Sequence, residues 1–230
     1  MIPLCSQKTN RGFTIIELLV AMTLGLVVLA AILNMFASQN RTSAVQQEVA
    51  YAQQNVRAAM DLIVRELRNA GYDPEDNGFD AIPQATSTLI QVRIDYRGDN
   101  DLPGNDPPYD PPDGAHDDAN EDITYTVNAL NQLTRDDAND GVAAELMIED
   151  VVPNSLQFTY YKADGSSFVP ADQNDRDDIR MVAIQFQVHT ENEDRDYSGG
   201  YDLYPSSSGT CRVRTLATRV RIRNMGFQDI

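Results

Sequence analysis

The fold is decided near the start of the chain, by residues 11–36, which read RGFTIIELLVAMTLGLVVLAAILNMF. From Phe13 to Phe36 this stretch contains no Lys, Arg or Pro. As an α-helix that span would be roughly 36 Å long, whereas the hydrocarbon core of a bilayer is about 30 Å thick. The stretch therefore predicts a helix that spans a membrane.

The charges around this apolar run predict its orientation and raise a question about one carboxylate. Lys8 and Arg11 precede the run, which favours a cytoplasmic N-terminus with the rest of the chain outside. Glu17 lies within the run, and carboxylates inside membrane segments are rare and usually functional. A plain signal anchor has no use for Glu17. The interpretation that competes with a functional role is that Glu17 is protonated and that its side chain merely reaches towards the membrane–water interface.

Two kinds of cleaved signal fit this segment poorly. A secretory signal has a shorter apolar core followed by a small-x-small cleavage site, and the sequence offers no convincing one. A lipoprotein signal has its cysteine after the apolar run, whereas Cys5 precedes it. Both interpretations are therefore weaker than the interpretation as a signal anchor, in which the apolar helix is not removed.

Residues 12–20, GFTIIELLV, and the short basic leader before them resemble the processing site of type IV prepilins. The resemblance implies that a membrane-bound prepilin peptidase cleaves after Gly12 and N-methylates the new first residue, Phe13. It also implies that Glu17 meets the N-terminal amine of a neighbouring subunit during assembly. The implied partners are this peptidase, other minor and major pilins, and the inner-membrane assembly machinery.

The sequence predicts four consecutive parts. Residues 1–12 are the cleaved leader, 13–36 the transmembrane half of one long helix, 37–71 its amphipathic half, and 72–230 a β-rich periplasmic or extracellular domain. The amphipathic half shows an apolar stripe at spacings of three and four, formed by Val45, Val49, Ala52, Val56, Ala59, Ile63, Leu67 and Ala70. Gly71 followed by Pro74 predicts the end of the helix at about Ala70.

Alternation of apolar and polar residues predicts antiparallel strands after the helix. The candidate strands are Ile90–Tyr96, Ile123–Val127, Gln132–Arg135, Glu145–Val151, Leu156–Lys162, Met181–Thr190 and Arg212–Arg223. The second and third are expected to form a hairpin through Asn128–Asn131. One long helix laid against an antiparallel sheet is an α+β fold, and it is also the type IV pilin fold that the resemblance implies.

Three segments between the strands are predicted to be loop insertions. They are 97–122, which is rich in proline and acidic residues, 163–178, and 191–209. Such compositions bury little apolar surface and are usually mobile.

The clustered acidic residues of the loops are candidate calcium ligands, because Ca²⁺ takes six to eight oxygen ligands. No segment has the EF-hand spacing. An irregular site is the remaining candidate, with Asp117, Asp118, Glu121 and Asp122 as ligands. The competing interpretation is a solvated acidic loop that holds no ion.

The net charge of −17 argues against nucleic acid as a partner, because phosphate binding needs clustered positive charge. Five arginines do lie close together near the C-terminus, at Arg212, Arg214, Arg219, Arg221 and Arg223. On so acidic a chain we expect them to pair with carboxylates of the same surface or of a neighbour.

The two cysteines allow no disulfide scaffold. Cys5 would leave with the leader, so that Cys211 is expected either to be buried or to pair between subunits. No Walker A loop, Gly-x-Ser-x-Gly elbow or His-Glu-x-x-His motif is present, and we expect no enzyme activity and no cofactor.

The sequence is therefore interpreted as a non-catalytic subunit that primes assembly of a type IV pilus and lies near its tip. Within the family, the segments 61–72, 123–135 and 218–226 resemble PilW-type minor pilins, which overlap the J-type pseudopilins of type II secretion. A J-type pseudopilin is thus one alternative. A tip adhesin or calcium-binding module carried by the acidic loops is another.

Overall fold

The computed structural model describes residues 13–96, 112–192, 194, 197–199 and 210–225. It contains a long helix, α1 (Ile15–Asn69), and a short one, α2 (Gln173–Asp177). The strands are β1 (Gln84–Ala85), β2 (Leu89–Arg93), β3 (Asp122–Val127), β4 (Leu133–Asp137), β5 (Glu145–Ile148), β6 (Gln157–Tyr161), β7 (Ser167–Phe168), β8 (Met181–His189) and β9 (Val213–Arg221). The predicted α+β fold, with one long N-terminal helix and antiparallel strands after it, is confirmed.

The end of α1 lies where the sequence predicts it. Gly71 has a φ of 73°, which a residue without a Cβ adopts at no steric cost. Its N–H donates to the carbonyl of Arg93 at 2.9 Å. A Cβ at this position would also lie 2.8 Å from the Cβ of Ala81. The glycine therefore both ends the helix and lets the following chain pack closely.

The chain divides into two compact units, Met1–Gln47 and Glu48–Ile230. In the first unit the described residues form the N-terminal part of α1, and the apolar side chains between Phe13 and Phe36 are exposed. The second unit begins later than the predicted amphipathic half at 37–71. Val56 is the first residue of the apolar stripe that is fully buried. The part of α1 that is closely packed in this unit is therefore its last four turns.

A five-stranded antiparallel sheet has the order β1-β2-β3-β4-β5. The predicted hairpin is its centre, since Val127 pairs with Leu133 and Tyr125 pairs with Arg135. Asn131 adopts a positive φ of 58° in the turn, which asparagine tolerates better than most residues. The first strand, β1, is a two-residue strand that the alternation pattern did not predict.

The remaining strands form a second sheet, which the sequence analysis did not separate from the first. Its order is β7-β6-β8-β9, all antiparallel. An isolated antiparallel bridge pairs Val151, three residues after the end of β5, with Val188 of β8. Alternation identifies which residues form strands, but pairing between distant strands decides how many sheets result.

The core lies between the last turns of α1 and the inner faces of both sheets. The helix contributes Ile63 and Leu67, both 0% exposed, and burial of each such side chain is worth about 1.5–3 kcal/mol. Strand β8 contributes the apolar residues that alternate along it, Val182, Ile184, Phe186 and Val188, all of which are buried.

The predicted loops are only partly described. The segment 163–178 is not a plain loop, because it contains β7 and α2. Asp172 caps α2 by accepting from the backbone N–H of Asp175 at 3.0 Å. This local capping signal explains why a polar segment there takes regular structure. Residues 97–111 and most of 193–209 lie outside the described residues.

Candidate functional site

The N-terminal segment is the first candidate site, because the sequence places its processing residues there. Gly12 lies outside the described residues. Phe13 is the first residue described, and it is 92% exposed. Helix α1 begins two residues later, at Ile15. The predicted cleavage bond would thus lie just ahead of the helix.

Thr14 and Glu17 form a reciprocal hydrogen-bonded cap at the start of α1. Thr14 Oγ1 accepts from the Glu17 backbone N–H at 3.2 Å. Glu17 Oε2 accepts from the Thr14 backbone N–H at 2.9 Å and from its hydroxyl at 3.0 Å. This is the capping box, in which a threonine and a glutamate three residues later satisfy each other's backbone donors. The T-x-x-E spacing ahead of an apolar run could have revealed it from sequence.

The capping box gives Glu17 a definite location in the single subunit. Its carboxylate lies against the amide of Thr14, the residue next to Phe13. If the bond before Phe13 is cut, the new amine arises one residue from that amide. The geometry thus holds a carboxylate close to the place where the predicted cleavage would create a positive charge.

The remainder of the N-terminal segment has the composition of a membrane span. Within α1 an 18-residue window has a mean hydropathy of 2.7 and is 0% buried. Of the helices in the described part of the chain, α1 alone is long and apolar enough to cross a membrane.

The acidic segment before β3 brings three of the four predicted calcium ligands together. One ligand atom each from Asp117, Asp118 and Glu121 lies within 4.8 Å of the others. The buried carboxylate of Glu121 also accepts backbone hydrogen bonds, from Tyr96 N–H at 2.7 Å and from Asp118 N–H at 3.1 Å.

The fourth predicted ligand, Asp122, does not belong to this group. It lies on β3, and its carboxylate accepts from Arg93 Nε at 2.9 Å and from Gln91 Nε2 at 2.5 Å. Both partners are on the neighbouring strand β2. Because side chains alternate between the faces of a strand, adjacency to Glu121 in sequence did not place the two carboxylates side by side.

The C-terminal arginines make contacts within the chain, as expected. Arg212 pairs with Asp194 at 2.8 Å and lies over the ring of Tyr197, with 4.7 Å between its Cζ and the ring centroid. Arg219 lies over the ring of Tyr161 at 5.2 Å. The Arg212–Asp194 pair is the contact with a carboxylate that the sequence predicts, whereas the contact of Arg219 is with an aromatic ring.

Cys211 is buried, with 0% of its surface exposed, and it forms no disulfide with another described residue. Of the two interpretations of this residue, the structure supports burial. A disulfide between subunits would require the thiol to become accessible.

A buried polar group that the sequence analysis missed connects α1 to the five-stranded sheet. Glu66 accepts from the Tyr125 hydroxyl, and it pairs with Arg135 Nη2 at 3.1 Å. Arg135 also donates to Asn120 Oδ1 at 2.9 Å. A signal was available, because Glu66 lies three residues after Ile63 and four before Ala70, on the apolar face of the helix.

Comparison with known protein families gives a match in the N-terminal segment. Residues 7–33 match the family model of the prokaryotic N-terminal methylation motif, a span that includes Gly12, Phe13 and Glu17. The chain therefore carries a prokaryotic N-terminal methylation motif at the position where the sequence predicts processing. A search of curated protein sequences gives no match.

Among solved structures, the chain is similar to a type IV-like pilin from Thermus thermophilus. The two share 11% sequence identity, with a TM-score of 0.47. The superposition covers 76% of this chain and 98% of that one.

Proposed function

We propose that this chain, whose N-terminus carries the prepilin motif, is a minor pilin of a type IV pilus. It enters the inner membrane with its N-terminus in the cytoplasm. A prepilin peptidase then cuts between Gly12 and Phe13 and methylates the amine of Phe13. The match of residues 7–33 to the methylation motif carries this proposal, and the membrane-length start of α1 supports it.

In this proposal Glu17 changes partner during assembly. Before assembly its carboxylate is held by the capping box with Thr14. In the filament it pairs with the amine of Phe13 on a neighbouring subunit. Opposite charges in an apolar environment are tolerated when they pair, so the pair would fix the axial position of one helix against the next.

Processing is tested first, on protein recovered from the membrane. Mass spectrometry of the N-terminal peptide should show a chain that begins at Phe13 with a methylated amine. A mature chain that begins at another residue would contradict the proposal.

The assembly role is tested with Glu17→Ala in cells that lack the native chain. The variant should be inserted and cleaved normally, but its amount in sheared filaments should fall strongly. Thr23→Ala is a matched control on the same exposed helix, because its hydroxyl donates to the local carbonyl of Val20 at 2.9 Å. Normal incorporation of the Glu17 variant would remove the role.

A position near the tip, with a part in priming assembly, belongs to the same proposal. The acidic segments 97–122 and 191–209 are long, and at a repeating shaft position every such insertion would have to avoid neighbouring subunits. Deleting Asp99 to Asp110 separates two roles, because the deletion leaves the buried Glu121 and strand β3 in place. Loss of adhesion with normal piliation would support an adhesin, whereas loss of pili would support assembly.

The PilW-type assignment also belongs to this proposal, and a J-type pseudopilin is its alternative. Both use the same N-terminal chemistry, so the structure of one subunit does not separate them. Neighbouring genes for other minor pilins would support the pilus, whereas genes for secretion-machine components would support the pseudopilus.

A further inference from the structure

The second sheet ends in a long edge strand. Strand β9 has nine residues and pairs with β8 along one side. No other described strand pairs with its second side. The strands at the remaining edges of the two sheets, β1, β5 and β7, have two, four and two residues. Because a short edge strand offers little backbone to another chain, β9 is the edge of the described sheets that is long enough to take up a further strand.

The register of β9 shows which of its backbone groups face away from β8. The N–H of Ile222 donates to the carbonyl of Arg180 at 3.1 Å, and the N–H of Thr190 donates to the carbonyl of Arg212 at 2.9 Å. Both pairs continue the β8–β9 register without a shift. Since hydrogen-bonded and non-hydrogen-bonded pairs alternate in an antiparallel ladder, the even-numbered residues of β9 bond to β8. The odd-numbered residues direct their N–H and C=O groups outwards.

The outward groups belong to Val213, Thr215, Ala217 and Arg219. None of the backbone hydrogen bonds between described residues outside the β8–β9 ladder involves them. The last three of these residues are exposed. The guanidinium of Arg219 lies over the ring of Tyr161 on β6, so this side chain points back across β8 and leaves the edge uncovered. An edge of this kind binds an extended chain through main-chain hydrogen bonds, as in β-strand addition.

Arg214 indicates the chemistry of the segment that the edge would take up. It shares a face of β9 with Leu216, which packs partly against the core. Arg214 Nε is buried and has no hydrogen-bond partner, and none of the ion pairs between described residues includes this arginine. On the outer side of β9 the even-numbered residues would form the non-hydrogen-bonded pairs, in which side chains come closest. A carboxylate opposite Arg214 would therefore reach its guanidinium.

We infer that β9 takes up an extended segment of another protein by antiparallel strand addition. The segment carries an apolar side chain opposite Leu216 and, two residues later, an Asp or Glu opposite Arg214. Strand β9 of a second copy does not fit, because residues 213–221 include neither Asp nor Glu. The acidic segment 97–111 of the chain itself is rich in proline, which cannot donate to a ladder.

The test uses the full chain in detergent micelles and a fluorescent peptide as long as β9. The peptide places valine opposite Leu216, glutamate opposite Arg214 and threonine at its other positions. Its fluorescence anisotropy should rise saturably as the protein is added. Amide hydrogen exchange measured by NMR should slow at Thr215, Ala217 and Arg219. The amides of Leu216 and Thr218 should change little, because they already bond to β8.

Backbone controls separate strand addition from a contact between side chains. A peptide N-methylated at the nitrogens that face β9 keeps every side chain and should not bind. Ala217→Pro removes an outward N–H but no bond to β8, and proline is tolerated at such edge positions. It should weaken binding about tenfold, since a carbonyl of the peptide loses its donor. Ala217→Val keeps the N–H and should bind the peptide like the wild type.

Charge controls test the role of Arg214. Arg214→Glu should weaken binding of the glutamate peptide about tenfold, because an attraction between facing side chains becomes a repulsion. The same variant should prefer a peptide with lysine at that position. Arg57→Glu reverses an exposed arginine on α1 and should leave binding unchanged.

Four outcomes would overturn the inference. Equal binding of the N-methylated peptide would show that no strand is added. Unchanged exchange at the outward amides would show that the arginines of β9 only guard its edge against pairing. Tight binding of the glutamate peptide by Arg214→Glu would remove the charge requirement. Outward amides that are protected at high protein concentration without peptide would assign the edge to a second copy. None of these measurements depends on processing or on filaments, so each outcome leaves the proposed function standing.

Discussion

The carboxylate of Glu66 on α1 accepts a hydrogen bond from the hydroxyl of Tyr125 on β3 in the interior of the protein. The guanidinium of Arg135 on β4 completes the group, with 3.1 Å between its Nη2 and Glu66 Oε1. Glu66 and Arg135 are each 6% exposed, and Tyr125 is 0% exposed. The group fixes how the helix lies on the sheet, because one of its charges left alone would be buried without compensation.

Removing one partner of this group is expected to be severely destabilising. Glu66→Ala should cost about 3–5 kcal/mol of unfolding free energy, because Arg135 loses its buried counter-charge. Tyr125→Phe should cost about 1–2 kcal/mol, since it removes one hydrogen bond and leaves both charges paired. Urea unfolding of the full chain in detergent, followed by circular dichroism, measures both.

Glu145→Gln is the control for that series. Glu145 also lies near Arg135, at 3.9 Å, but its side chain is 76% exposed, and exposed pairs contribute about 0–1 kcal/mol. A Glu66→Ala variant as stable as Glu145→Gln would show that the buried group does not hold the helix.

Sequence patterns predicted the structural features that depend on residues close together in the chain. The end of α1 at Gly71 and the hairpin around Asn131 follow from residues only a few positions apart. The partner of Glu66 lies 59 residues further along, and no local period encodes such a distance. The division into two sheets and the separation of Asp122 from Glu121 depend on strand pairing in the same way. The processing motif was predictable because its residues are consecutive.

Asp95 makes the stability of the fold depend on pH. It is 0% exposed, and burial raises the pKa of its carboxyl, with Asp113 and Asp73 adding repulsion. The N–H of Gly114 partly offsets this by donating to Oδ2 at 2.9 Å. The fold thus disfavours the ionised form. The contribution of Asp95 is fully present below the ordinary pKa of an aspartate, about 3.9, and is lost as the pH rises through the raised value.

Asp95→Asn should remove this dependence while still accepting from Gly114. We expect a higher melting temperature than the wild type at pH 7, by about 2 to 4 °C for each kcal/mol relieved. The difference should shrink towards pH 4. Asp61→Asn, an exposed change on α1, is the control and should give no such trend. A difference between Asp95→Asn and wild type that stays constant with pH would contradict the assignment.

Glu121 should stabilise the fold with or without calcium. Its carboxylate accepts the backbone N–H groups of Tyr96 and Asp118, so Glu121→Gln turns one acceptor into a donor that faces an N–H. Leaving such buried groups unsatisfied costs about 1–3 kcal/mol, and the melting temperature should fall even with EDTA present.

The melting temperature also decides whether Asp117, Asp118 and Glu121 hold calcium. Ligand binding to the folded state raises the melting temperature as calcium is added. A calcium site would show this rise in the wild type and lose it in Asp117→Asn, which changes an exposed member of the group. Identical curves with and without calcium would leave Glu121 a structural role alone.

Thr14 should control how tightly the start of α1 is formed. Thr14→Val removes the hydroxyl that caps the Glu17 amide, and loss of such a cap costs about 1 kcal/mol. Hydrogen exchange at the Glu17 amide should therefore speed up about fivefold in the full chain in detergent micelles. Thr14→Ser keeps the hydroxyl and should exchange like the wild type. Thr23→Val removes a hydroxyl of the same helix that bonds to a carbonyl rather than capping an amide, so it should leave this amide unchanged. Equal exchange in the Val and Ser variants at position 14 would show that Glu17 is not held by the capping box before assembly.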